Sequence, residues 1–217
     1  MSCAICHQRK EKRFCPALHD RICPICCGRE REVSLECPSE CPYLQQARQH
    51  EKPRSFEELS QEDLLREVDV SQQFYYEHEP LIAGLLFAAA RVTHADRAVR
   101  DRDILQALTA LAKSCETRVN SGLVYQESTA NIVHQSLATE VDKMIAEYRE
   151  VEARNLGFHQ LKDSDVLRAL VFILRMGHSR TNGRPRSRAF IDSLLAQFPA
   201  AASPLGSAPN GSGLIVP

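Results

Sequence analysis

Cysteine is the residue type whose number and spacing in this chain bear most directly on chemistry. Eight of the nine cysteines fall within the first 41 of 217 residues: Cys3, Cys6, Cys15, Cys23, Cys26, Cys27, Cys37 and Cys41. Cys3-x2-Cys6 and Cys23-x2-Cys26 have the spacing at which a turn lets two thiolates reach one tetrahedral zinc at about 2.3 Å. Cys37-x3-Cys41 is one residue wider, and Cys15 and Cys27 stand singly. Neighbours such as Cys26 and Cys27 project in different directions and rarely share an ion, so the vicinal pair divides. The set then sorts into Cys3, Cys6, Cys23, Cys26 and Cys15, Cys27, Cys37, Cys41. The reading is an interleaved module with two zinc ions as cofactors, and with His7 and His19 as substitute ligands.

Four protein ligands on one ion leave no position for water or substrate, which is the arrangement of a structural site. An iron–sulfur cluster ranks below zinc because the run lacks the C-x2-C-x2-C-x3-C-P spacing. A redox dithiol ranks lower too, since no βαβ pattern accompanies the CxxC pairs. A segment so short and polar cannot bury enough apolar surface to offset its chain entropy, so ions must stand in for a core. No apolar stretch follows Met1, and the longest apolar run, residues 81–90, ends at Arg91 and is too short to span a bilayer. The expectation is a soluble, cytoplasmic chain whose thiols stay reduced.

The phrases CPAL at Cys15, ICPICCG at Ile22 and CPSECPYL at Cys37 resemble those of a group of uncharacterised bacterial cysteine-rich proteins. The general style is similar to that of treble-clef and cross-brace zinc fingers. This resemblance covers about 30 residues and implies metal binding, with no activity attached.

Beyond the cysteines the sequence reads as helical, and no strand pattern follows Pro53. A short helix is expected over 43–50, and Ser55-x-x-Glu58 and Ser60-x-x-Asp63 have the form of N-terminal caps. Helix is expected over 61–79 until Pro80, then a buried helix over 81–93 and an amphipathic one over 102–119 with Ile104, Leu105, Leu108, Leu111 and Ala112 on one face. Cys115 on that helix reads as a small core residue. The longest helix is expected over 128–156, where Val133, Leu137, Val141, Met144, Tyr148 and Val151 recur as a near-heptad seam. Such a seam packs within the chain or joins two copies as a homodimer. An offset of 62 residues relates Asp101, Asp103, Leu105 and Leu108 to Asp163, Asp165, Leu167 and Leu170, so the body reads either as a repeat of two helical hairpins or as two helices sharing capping grammar.

Formal charge is −1 overall but uneven: +3 over 1–54, −8 over 55–160 and +4 over 161–198. Eight thiolates on two divalent ions would bring the first segment near −1, which does not favour a nucleic-acid grip there, although Arg9, Lys10, Lys12 and Arg13 form a local basic rim. In the third segment, Gly183-Arg184-Pro185-Arg186 is similar to the core of an AT-hook, and Arg180, Arg184, Arg186 and Arg188 are its candidate DNA or RNA contacts. The competing reading is a solvated Gly/Pro turn, its arginines offsetting the acidic middle helices, before a last helix over 187–198. The Ala-, Ser-, Pro- and Gly-rich tail, 199–217, is expected to be disordered. Glycine-rich phosphate loops, G-x-S-x-G and H-E-x-x-H are absent from the sequence. The fold class expected is an all-α body, residues 45–198, carrying a small N-terminal two-zinc module, residues 1–44. Its expected role is a non-enzymatic interaction or regulatory protein with a protein partner. The alternatives are a nucleic-acid-binding regulator and a thiol redox or metal-responsive sensor.

Overall fold

The computed structural model of the chain describes residues 2–55, 64–122 and 131–199. It is a mostly helical protein whose only strands among the described residues lie in the cysteine-rich N-terminus. Strand β1 (Arg13–Cys15) pairs antiparallel with β2 (Asp20–Ile22), Arg13 facing Ile22 and Cys15 facing Asp20. Three-residue strands are too short to show an alternating pattern, and this hairpin was not legible in the sequence. Helix α1 (Pro24–Glu30) and helix α2 (Pro42–Arg48) follow, each with proline in its first turn, where the missing N–H needs no partner.

The body holds α3 (Gln72–Glu77), α4 (Glu79–Ala95), α5 (Asp101–Ser121), α6 (Ile132–Leu156), α7 (Asp163–Arg180) and α8 (Ala189–Gln197). Helix α4 buries Leu81, Ile82, Leu85, Leu86, Ala88 and Ala89, as its all-round apolar sequence requires. Helix α5 lies against α7 and α6, and α6 against α4. The seam of α6 is taken up inside the chain: Leu137, Val141 and Met144 are buried, with Val133 and Tyr148 packed at the edges of the same core. Each fully buried leucine here contributes about 1.5–3 kcal/mol. Cys115 is buried as expected, its thiol 3.4 Å from the Asp163 carbonyl.

Two expectations need correction. The helix foreseen over 61–79 is broken among its described residues: the chain turns over 65–68, with Leu65 at φ +45°, and helix restarts where Ser71 Oγ accepts from Phe74 N at 3.1 Å. Val68, Asp69 and Val70 are weak helix formers, and Ser71 is a strong cap. Pro80 then sits in the first turn of α4 instead of ending anything. The two cap patterns at Ser55 and Ser60 run into residues 56–63, the foreseen start of α6 falls in 123–130, and the tail from 200 onward follows; all three lie outside the described residues. The pair α5 and α7 does share a start: Arg100 N donates to the Asp103 carboxylate at 2.8 Å and Lys162 N to that of Asp165 at 3.3 Å. Their ends differ, since α5 closes on left-handed Gly122 while α7 closes on extended Thr181.

The second correction concerns residues 181–188, foreseen as a solvated turn: the chain does turn at 185–186 with Gly183 and Pro185 exposed, but Thr181 and Ser187 are buried and the arginines reach into the cysteine module and the body. The Arg184 guanidinium donates to the carbonyls of Gly28 and Arg31, Arg186 pairs with Glu36, and Arg188 donates to the carbonyls of Arg97 and Val99. At the centre stands Glu32, 1% exposed and in the left-handed region at φ +53°. Its carboxylate accepts from Arg48 at 2.9 Å and from Asn182 at 2.7 Å, and its carbonyl from Arg186 N at 2.9 Å. Arg48 reaches on to Asp192 of α8 at 2.6 Å. Buried Asp101 completes the junction: it accepts from Ser187 Oγ, Phe190 N and Ile191 N, closing the first turn of α8.

Candidate metal centre

Each element of the module delivers a sulfur. The N-terminal loop folds back on the hairpin through Cys3 N to Arg9 O (2.8 Å) and Ala4 N to Arg21 O (3.1 Å), which brings Cys3 and Cys6 against the end of β2. Cys23 is the N-cap of α1, its sulfur accepting from Cys26 N at 3.4 Å, and Cys26 lies one turn on. Cys3 Sγ accepts from Cys23 N at 3.2 Å, joining the two CxxC turns. The outcome is a cluster in which the sulfurs of Cys3, Cys6, Cys23 and Cys26 all lie within 4.8 Å of one another, three of the four residues buried. Four sulfurs each about 2.3 Å from a tetrahedral ion stand about 3.8 Å apart, so the donor set fits one such ion after a small contraction. This is the first set that the spacing had sorted together. His7 and His19 are exposed hairpin and loop residues in the left-handed region and lie outside the cluster.

The electrostatics suit thiolate ligands. Burial pushes the Cys3 thiol up, but the N–H groups of Cys6, Cys23 and Ile5 more than offset it and hold Cys3 down at about 6. The N–H groups of Gln8 and Arg9 lower Cys6 as well. Cys26 is the proton holder, pushed up to about 12 by burial and by the sulfurs of Cys23, Cys6 and Cys3. A divalent ion at the centre reverses that last effect, because a ligating thiol is deprotonated outright.

The second set is arranged differently. Cys15, Cys27, Cys37 and Cys41 line one apolar cavity of about 10 Å³ together with Ile22, Leu35 and Leu44. That is about the room of a single water-sized sphere. Their sulfurs do not come within the mutual distance of the first cluster. Burial, with Cys41 and Cys15 nearby, raises Cys37. Arg13 donates to Cys27 Sγ at 3.5 Å and Arg31 lies 3.9 Å from it. Cys26 thus belongs to the cluster, while Cys27, its neighbour on α1, lines the separate apolar cavity.

The arginines near sulfur were missed as site residues. Hydrogen bonding to the Cys23 sulfur raises the pKa of Arg9, and Arg13 stacks over Tyr43 at 4.5 Å while reaching Cys27. In the sequence both belonged to a basic rim. The candidate nucleic-acid contacts are likewise engaged within the chain: Arg180 with Ser193 at 3.2 Å, and Arg184, Arg186 and Arg188 as described above. Among the described residues no helix is long and apolar enough to cross a membrane.

Fold and site together define a helical protein with an N-terminal four-cysteine cluster able to hold a metal ion. Compared with family models, curated proteins and solved structures, the chain matches none of them.

Proposed function

We propose that this chain is a non-enzymatic, zinc-binding interaction or regulatory protein, in which two structural ions shape the N-terminal module and the module is held as a cap on the helical body. The observation that carries this reading is the closed set of four mutually adjacent sulfurs on Cys3, Cys6, Cys23 and Cys26. A four-sulfur site favours zinc and supplies no open coordination position for catalysis. The second ion belongs to Cys15, Cys27, Cys37 and Cys41, whose shared cavity would contract about it. The module also leaves Phe14, Leu18 and Ile25 in solvent, at 53%, 42% and 59% exposure, in a segment with few apolar residues to spare. Those side chains are the contacts a protein partner would cover.

Elemental analysis of the full-length chain purified without a tag tests the metal reading. Two zinc ions per chain are expected, leaving Cys115 as the one free thiol; one ion with five free thiols removes the second site, and nine free thiols remove both. Exchange of Phe14 and Ile25 for serine tests the contact, since it should abolish co-purification of the partner without changing metal content. Retention of the partner by that variant would refute the assigned surface. The redox alternative draws on the lowered Cys3 thiol, but Cys3 is fully buried, and sensor cysteines combine a low pKa with solvent access.

A further inference from the structure

A cleft of about 500 Å³ lies away from the sulfurs, between the outer face of α5, the end of α7 and the 181–188 segment. That is within the size range of small-molecule sites. Four cationic side chains line it, Arg54, Arg102, Lys113 and Arg184, and no carboxylate belongs to the lining among the described residues. In a molecule with 28 acidic and 27 basic side chains, such an acid-free concavity selects for negative charge.

The arrangement is built by the fold. Arg102, Gln106, Thr109 and Lys113 follow one another at steps of four, three and four, so they form a single polar strip along α5, roughly 16 Å from end to end. Opposite them, Arg54 is fixed by its backbone N–H on Ser179 O at 3.2 Å. Its guanidinium passes over Gly183, where a Cβ would stand 2.9 Å from Arg54 Nη1, and Gly183 itself lies at φ +72°. The left-handed conformation favours glycine, and a Cβ there would displace the Arg54 guanidinium. Arg184 is held from behind by the carbonyls of Gly28 and Arg31. The hydroxyls of Thr109 and Thr181 also line it, but their protons are given to Leu105 O and Ser187 Oγ. Arg102 lies 3.5 Å from the neighbouring Asp103 carboxylate, a weak and exposed pairing that an incoming anion can outcompete. Phe, Tyr and Trp are absent from the lining, His178 being its one imidazole.

From this geometry we infer that the cleft is a binding site for a small phosphorylated molecule carrying at least two negative charges, its phosphate oxygens reaching Arg54, Arg102 and Lys113. A small molecule is favoured over nucleic acid because the cleft is concave and bounded, and because the arginines beyond it, Arg180, Arg186 and Arg188, are tied within the chain.

Isothermal titration of inorganic pyrophosphate into the full-length, metal-loaded chain tests the inference. One saturable site is expected, with affinity falling steeply as salt rises. The R102A/K113A double variant, both of whose changes lie on an exposed helix face, should bind at least ten-fold more weakly with unchanged melting temperature and metal content. Arg54→Ala should weaken binding separately. No saturable heat with pyrophosphate, or equal affinity in the double variant, would overturn the assignment. Citrate binding as tightly as pyrophosphate would overturn the phosphate class, and displacement of pyrophosphate by a short DNA duplex at equal phosphate concentration would reassign the face to nucleic acid.

Discussion

In the helical body the buried cluster is built almost wholly of leucine, isoleucine, valine, alanine and phenylalanine side chains, with Met144 and Cys115 added, most of them from α3 to α8, whereas five of the seven buried members of the cysteine module's own cluster are cysteines, Ile22 and Leu35 being the others. The body has an apolar core that needs no ion. The module has almost none, and on the proposed reading its shape depends on the ions its sulfurs would hold. Between them lies a polar seam centred on Glu32, Arg48, Asn182 and Asp192.

The largest expected effect separates the two regions directly. Removal of zinc by chelator, or Cys23→Ser, should unfold the module, a loss on the order of 10 kcal/mol of metal-linked stability. Far-UV circular dichroism should retain most of its helical signal while amides over residues 3–41 lose exchange protection; a collapse of the whole helical signal would show that the regions are not separable. Acid should act in the same sense. Protons compete with the ion for thiolates, so retention of the metal is greatest at neutral pH and above and is lost as pH falls, as metal-release titration would record.

Leu170→Ala places the break on the other side. Leu170 is 2% exposed in the core between α7 and α5, so truncation should cost about 2–5 kcal/mol and lower the body's melting temperature with metal content unchanged. Glu32→Gln tests the seam: it removes the buried charge opposite Arg48 but leaves that arginine its Asp192 partner, so about 2 kcal/mol should be lost, and the module should exchange its amides independently of the body. Gly177→Ala should have a smaller effect. A Cβ there would stand 2.6 Å from Leu105 Cδ2 and 3.0 Å from Phe190, and the overpacking outweighs the helix-propensity gain, leaving a net loss of about 1 kcal/mol by denaturant titration. Phe14→Ser, on an exposed strand position, should shift stability by no more than about 0.5 kcal/mol; a large loss would mean that Phe14 belongs to the module's own packing.

The helices of the body were legible because long apolar periodicities are hard to mistake: 81–93 and 102–119 lie inside α4 and α5, and 43–50 overlaps α2. The first sulfur set was legible because two CxxC turns share one geometry. What was not legible depended on contacts remote in sequence. The break before Ser71 followed from local caps prevailing over a weak helical pattern. Arg184 and Arg186 looked like surface charge, since nothing in the sequence says that the carbonyls of Gly28 and Arg31 or the carboxylate of Glu36 will come to meet them. Glu32 and Asp101 looked like ordinary acids and became the buried anchors of the junction.

The peptide bond between Cys26 and Cys27 has one more consequence under the two-ion reading. Because consecutive residues of a single rigid turn point into separate sites, occupation of the tighter cluster freezes the rotation of α1 and thereby presents Cys27 to its own cavity already aimed. Were both ions bound, the quartet of Cys3, Cys6, Cys23 and Cys26 would fill first, and the entropy lost in that step would make the second ion the easier one to capture.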